Sequence, residues 1–197
     1  MKNNRKVLYG LVALALLLSV VGISIGFAAM SQDLKIEGTA EVTPASWNIL
    51  FKDLGEAQEV GDGLELDDPT LSTTIIKDFD VRLTKPGDSV SYTFKVANDG
   101  TIDAKLSDIQ FGTPTYTGTA TGDAKTSDEA IVAENLKFTL KYLDGTTESD
   151  LAVNDTLAHD TYRTLKLTVA YDESADELPT AAVEIEGLSV TLTYVQD

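Results

Sequence analysis

The chain has 197 residues, 43% of them hydrophobic, no cysteine, and a formal net charge of −17. That composition suits one globular domain with a real core, and it excludes disulfide, iron–sulfur and thiolate chemistry. The acid excess argues against nucleic acid and anionic lipid as partners, because both need a basic footprint.

Lys2, Arg5 and Lys6 precede an uncharged apolar run from Val7 to Ala29. The basic flank sets the N-terminus in the cytoplasm and the remainder beyond the membrane. Small residues at Phe27-Ala28-Ala29 before Met30 look like a signal-peptidase site, which makes residues 1–29 a signal peptide. At 23 residues the run is also long enough to span a bilayer, so a retained anchor is the alternative. Either way the membrane is met only through the leader, and signal peptidase is the export partner if it is cut. Without the leader, 12 basic residues face 32 acidic ones, a balance of −20.

The first segment after the leader, Leu34–Val42, alternates. Leu34, Ile36, Ala40 and Val42 share one face with Gly38, and Lys35, Glu37, Thr39 and Glu41 form the other. That is the pattern of a half-buried strand. Pro44 breaks the run. Ala45–Lys52 alternates again with Trp47, Ile49 and Phe51 expected inward, and Asp53–Thr70 reads as an acidic, Gly-rich loop with room for one short strand. Leu71–Ile76 and Phe79–Leu83 are short apolar runs suited to strands.

Lys85-Pro86-Gly87-Asp88 carries the residues of a type II turn. Ser89–Ala97 follows with Val90, Tyr92, Phe94 and Val96 on one face, and Asn98-Asp99-Gly100 then leads to Thr101–Phe111, which predicts a hairpin. Gly112–Asp128 is aperiodic and reads as a long loop, with a short helix beginning at Ser127 as cap. Leu136–Leu143 and Tyr162–Tyr171 alternate cleanly. In the last stretch the apolar positions slip by one between Ile185 and Leu188, with Gly187 placed as in a β-bulge; two short strands meeting at a kink is the alternative. So many short strands between turns predict an all-β, antiparallel β-sandwich over residues 44–197.

Catalytic residues are not expected. The one histidine, His159, cannot build a zinc site without further histidines or thiolates, and no Gly-x-Ser-x-Gly elbow occurs. No cofactor is expected. Acids cluster at Asp62, Glu65, Asp67 and Asp68 and again at Asp172, Glu173, Asp176 and Glu177, and either loop could supply oxygen ligands to calcium, but neither spacing is that of a calcium loop and a solvated acidic loop is the default.

Three features together resemble the TasA/camelysin family of Gram-positive extracellular matrix proteins. The leader runs straight into an alternating strand. Leu83-Thr84-Lys85-Pro86-Gly87-Asp88, Val90–Val96 and Asn98-Asp99-Gly100 are similar to the family's Pro-Gly-Asp turn, Phe-bearing strand and Asn-x-Gly turn. A final alternating strand, Leu188–Tyr194, ends in an aromatic. Bacterial Ig-like surface repeats share the middle feature, so an Ig-like sandwich is the alternative.

What the family resemblance implies is a secreted, jelly-roll-like β-sandwich that polymerises with copies of itself into biofilm-matrix or cell-surface fibres. In such fibres residues 30–43 supply a donor strand to the next subunit. Leu34, Ile36, Ala40 and Val42 would insert, with Gly38 permitting close approach, by β-augmentation. The metallopeptidase activity associated with camelysin is not carried over, because no His-Glu-x-x-His occurs. The alternative function is a membrane-anchored monomeric binding or adhesion module.

Overall fold

The computed structural model describes residues 44–77 and 80–196. The expected leader 1–29 and the donor-strand candidate 30–43 lie outside the described residues.

In chain order the elements are β1 (Ile49–Lys52), β2 (Gln58–Val60), β3 (Leu64–Asp67), β4 (Thr70–Leu71), β5 (Ile76–Lys77), β6 (Asp80–Arg82), β7 (Ser89–Asn98), β8 (Ala104–Phe111), β9 (Thr115–Gly118), α1 (Asp123–Asn135), β10 (Leu136–Asp144), β11 (Thr147–Asp150), β12 (Thr156–Leu157), β13 (Thr161–Tyr171), β14 (Val183–Glu186) and β15 (Val190–Gln196). Among the described residues this is an all-β fold of antiparallel sheets with a single helix.

The long alternating runs build the larger sheet. Its order is β1-β7-β13-β10-β11, with β2 sharing the β1 side of β7. The register sets Phe94 opposite Leu165, Tyr92 opposite Leu167 and Val90 opposite Val169, so inward side chains meet across the strands. Val90, Tyr92, Phe94, Val96, Leu165, Leu167 and Val169 are all buried. On the other face Lys52 opposes Lys95, and Lys141 opposes Lys166. Asp99, Asp53, Asp150 and Glu148 pair with these four lysines in turn, which relieves the like-charge contacts.

The other side of the core is a ribbon. β15 pairs with β8, β14 pairs with β9, and Val190↔Phe111 and Glu186↔Thr115 belong to one continuous register. The N–H of Gly112 donates to the Ser189 carbonyl at 2.8 Å, which keeps that register across the gap. Pro114, with no N–H to give, sits in the interruption opposite Gly187, whose φ is +79°. The inward positions therefore shift by one on both strands together: Val183 and Ile185 before the break, Val190, Leu192 and Tyr194 after it. The expected bulge at Gly187 is thus replaced by two strands meeting at a kink. An irregularity does occur, lower down, between Thr193 and Tyr194.

The expected hairpin of Ser89–Ala97 with Thr101–Phe111 does not form. β7 pairs with β13, β1 and β2, whereas β8 pairs with β12 and β15, so Asp99–Asp103 crosses from one sheet to the other. The turn before β7 is as expected: Asp88 N–H donates to the Lys85 carbonyl at 3.2 Å and Gly87 has φ +88°.

Four stretches differ from their sequence reading, the first being Leu71–Ile76, which turns back on itself so that Leu71 of β4 pairs with Ile76 of β5. Asp53–Thr70 holds β2 and β3, and Gly112–Asp128 holds β9 and the first residues of α1. The helix starts behind Gly122 rather than at Ser127. Trp47 is not inward; it is 46% exposed, because β1 begins two residues after it.

Candidate functional site

Beside the β14–β15 edge runs a cleft whose four compartments share walls. At one end Trp47, Ile49, Phe51 and Thr73–Thr74 face Leu192 and Tyr194 across about 160 Å³. Phe51, Thr74 and Leu192 also border the next compartment, of about 290 Å³, with Ile76, Phe138 and Val190. Ile75, Ile76, Leu188 and Ser189 continue into a third, of about 350 Å³, which reaches Ile185. Ile185 and Leu188 then open into the widest, of about 510 Å³, between Val81 and Leu83 on one side and Val132, Tyr171, Pro179 and Val183 on the other.

Among the described residues the second layer ends at β15, and the cleft runs beside it. Among the described residues β15 pairs only with β8, so the backbone groups along its other edge face the cleft. Val190, Leu192 and Tyr194 pack against the core cluster yet stay half-exposed, as do Ile49 and Phe51 opposite them. The inward residues of β7, by contrast, are at most 4% exposed. The core is closed under β7 and open beside β15. From Val183 to Tyr194 the edge is 12 residues long, about 37–40 Å at strand rise.

Two buried polar residues fix the frame. Asp88 accepts the N–H groups of Asp62 (2.8 Å), Thr84 (2.9 Å) and Lys85 (3.0 Å) and the Thr84 hydroxyl (2.9 Å). Burial alone would raise its pKa, but these four donors outweigh it and hold the carboxyl down at about 2. Asp128, on α1, accepts the N–H groups of Thr180 and Ala181 at 2.8 and 3.1 Å and the Thr180 hydroxyl at 3.0 Å. The bond from the Thr180 N–H is the main cause that keeps this carboxyl below its ordinary range. That contact ties α1 to the segment leading into β14, at the wide end of the cleft.

The calcium candidates do not converge. Asp62 is 2.5 Å from the Lys85 ammonium, Glu65 lies beside the buried Tyr92 hydroxyl, Asp67 ends β3 opposite Asp80, and Asp68 is exposed. Among the described residues no group of three or more acidic or histidine side chains is arranged to hold a metal ion. His159 is exposed and its Nδ1 lies 2.7 Å from Asp103, which raises its pKa through that hydrogen bond. The self-assembly residues Leu34, Ile36, Gly38, Ala40 and Val42 lie outside the described residues.

Sequence reading missed the cleft-lining role of Ile75, Ile76, Leu188, Val190 and Leu192. Alternation marked Val190 and Leu192 as inward-facing; it carries no signal for which strands lie beside a given edge.

The chain matches no protein-family model and no curated protein sequence.

Proposed function

We propose that this chain is a structural subunit that assembles with copies of itself by strand exchange, the Leu34–Val42 segment of one copy filling the cleft of the next. The observation that carries the reading is the cleft beside β15, a strand that among the described residues pairs only with β8. Such an edge offers backbone hydrogen bonds to an added strand, and the half-exposed apolar side chains beneath it offer sites for alternate residues. Leu34–Val42 has the matching character: nine residues, about 27–31 Å as a strand, apolar on one face and charged on the other. It fits within the length of the edge.

Contacts of this kind are head-to-tail, and where the rotation does not close they give open filaments. On this reading the sandwich is of the jelly-roll kind that the TasA/camelysin resemblance implies, and the leader takes the protein out of the cell to form extracellular matrix or surface fibres. The acid excess then keeps free subunits apart in solution until the cleft is engaged.

The test is Ile36→Asp in the exported chain, followed by size-exclusion chromatography and negative-stain electron microscopy. A carboxylate in the apolar cleft leaves an unpaired charge out of water, so fibres are expected to vanish while the sheet signal in circular dichroism stays unchanged. The same variant keeps an intact cleft, so added to wild-type subunits it should shorten their fibres. Normal fibres from Ile36→Asp would sink the proposal. A wild-type chain that stays monomeric, with its leader intact in the membrane fraction, would favour the binding-module alternative.

A further inference from the structure

Residues 172–182 join β13 to β14 without forming helix or strand, and Leu178, Pro179 and Ala182 among them line the widest compartment. Both ends of this strap are fixed. Asp172 donates its N–H to the Asn135 carbonyl at 2.8 Å, and its carboxylate meets the Lys137 ammonium at 3.2 Å. The Ala182 carbonyl accepts the N–H and the hydroxyl of Thr119 at 2.9 and 3.0 Å. Between the ends, among the described residues, two side chains from outside the strap hold it. The Tyr171 hydroxyl donates to the Glu177 carbonyl at 3.1 Å, and Asp128 accepts from Thr180 and Ala181.

Burial does little to hold the strap down. None of its residues is buried, and Leu178 is 46% exposed although it lines the compartment. What the strap lies against is the reverse: Asp128 is buried, as are Val132, Val169 and Tyr171 on the compartment walls. Among the described residues no ion pair ties the middle of the strap to α1, and both are acidic. Glu173, Asp176 and Glu177 stand on the strap, and Glu129 and Glu134 accompany Asp128 on the helix. Closure therefore rests on a few donors to one carboxylate. A segment that buries little and is held by few hydrogen bonds belongs to the low end of local stability.

We propose that residues 172–182 are a lid on the widest compartment, hinged at Asp172 and Ala182 and latched by Asp128, and that the open lid admits an uncharged aliphatic group. The lining argues for that chemistry. Val81, Leu83, Val132, Val169 and Val183 border a space of about 510 Å³, within the range of about 300–1,000 Å³ typical of small-molecule sites. The charged residues that line it, Asp80, Arg82 and Glu184, are all exposed, which keeps charge at the rim. The lid works on a single subunit, so access to the compartment is read whether or not copies of the chain assemble.

The probe is Nile red, an uncharged apolar dye, titrated into the exported chain while its fluorescence is followed. A ligand that binds only the open form has its affinity reduced by the fraction open, so weakening the latch tightens binding. Asp128→Ala is expected to lower the apparent Kd by about tenfold or more, the equivalent of one lost hydrogen bond to a charged group. Thr180→Val removes the hydroxyl donor, keeps the N–H donors of Thr180 and Ala181, and leaves α1 untouched. It should give a smaller gain in the same direction, and it reports on the latch if Asp128→Ala does not fold. Adding Val81→Trp, which fills the compartment from its far wall, should cancel either gain. Wild-type affinity in the latch variants would overturn the lid. A gain that survives Val81→Trp would overturn the compartment as the space the lid covers.

Discussion

Asp88 and Asn98 stand at opposite ends of the ten-residue strand β7, and neither has exposed surface. Asp88 gathers the turn that enters the strand. Asn98 holds the crossing that leaves it: its side-chain amide donates to the carbonyls of Ile102 (2.9 Å) and Leu157 (3.0 Å), and its side-chain oxygen accepts from the Gly100 N–H (3.0 Å). The Pro-Gly-Asp and Asn-x-Gly patterns around β7 are thus two polar clamps on the same strand.

The Asp88 clamp makes stability acid-sensitive in a defined direction. Its carboxyl sits at about 2 in the folded chain against an ordinary value of 3.8. A depressed folded value contributes stability that is complete above the unfolded value and is lost as pH falls through about 2. Asp128 shifts in the same direction and adds to the same acid window. Urea midpoints measured from pH 7 down to pH 2 should fall mainly below pH 4. Asp88→Asn should flatten that fall while costing about 1.5–3 kcal/mol at pH 7, the range for hydrogen bonds to a charged group.

The Asn98 clamp should fail through its neighbour as readily as through itself. A Cβ at Gly100 would lie 2.6 Å from the Ser46 carbonyl oxygen and 3.0 Å from the Asn48 nitrogen, both backbone atoms. Gly100→Ala and Asn98→Ala are each expected to cost about 2–4 kcal/mol, one by a clash and one by leaving buried groups unpaired. Thermal melts of the two variants check this. A Gly100→Ala chain as stable as wild type would mean that the Ser46–Asn48 strand entry shifts freely.

Asp128→Ala should act locally. Its partners, Thr180 and Ala181, lie 52 and 53 residues away in sequence, and the helix that carries Asp128 buries only one apolar residue, Val132. Losing the carboxylate releases the segment before β14 while the six-stranded sheet keeps its core. Limited proteolysis should begin cutting between Glu177 and Ala182, with hydrogen exchange in β7 and β13 unchanged. Equal loss of protection in both regions would show that α1 supports the whole fold.

What was legible in the sequence follows from where the physics is local. β7, β10 and β13 alternate because one face is buried and the other solvated, and the period alone reveals them. The Lys85–Asp88 turn is written in Pro and Gly. Asn98-Asp99-Gly100 misled because turn residues report a change of direction and not the destination. A hairpin and a sheet-to-sheet crossing use the same residues, and only the contact of Asn98 with Leu157, 59 residues on, separates them. Helix α1 was hidden for a related reason: it is docked by a carboxylate rather than an apolar stripe. The cleft was invisible because alternation does not tell which strands lie side by side, and among the described residues β15 pairs only with β8.

The kink between β14 and β15 supplies the last prediction. Gly187 holds φ +79°, and a Cβ there would sit 3.4 Å from the Thr113 carbonyl oxygen. Backbone strain of this kind costs a residue with a Cβ about 1–3 kcal/mol. The strain falls where the cleft edge changes its inward phase from Ile185 to Leu188, and both residues line the join between the third compartment and the widest one. Gly187→Ala should therefore lower the melting temperature modestly and, on the strand-exchange proposal, weaken fibre formation more than that loss of stability explains, because straightening the kink misaligns the two halves of the edge. Pro114→Ala, on the facing strand, restores an N–H without altering φ at Gly187 and should leave assembly intact. Comparing fibre yields of the two variants at matched fractions folded separates edge geometry from stability. If both assemble as wild type does, the strand engages β15 alone and the β14 half of the cleft stays outside the contact.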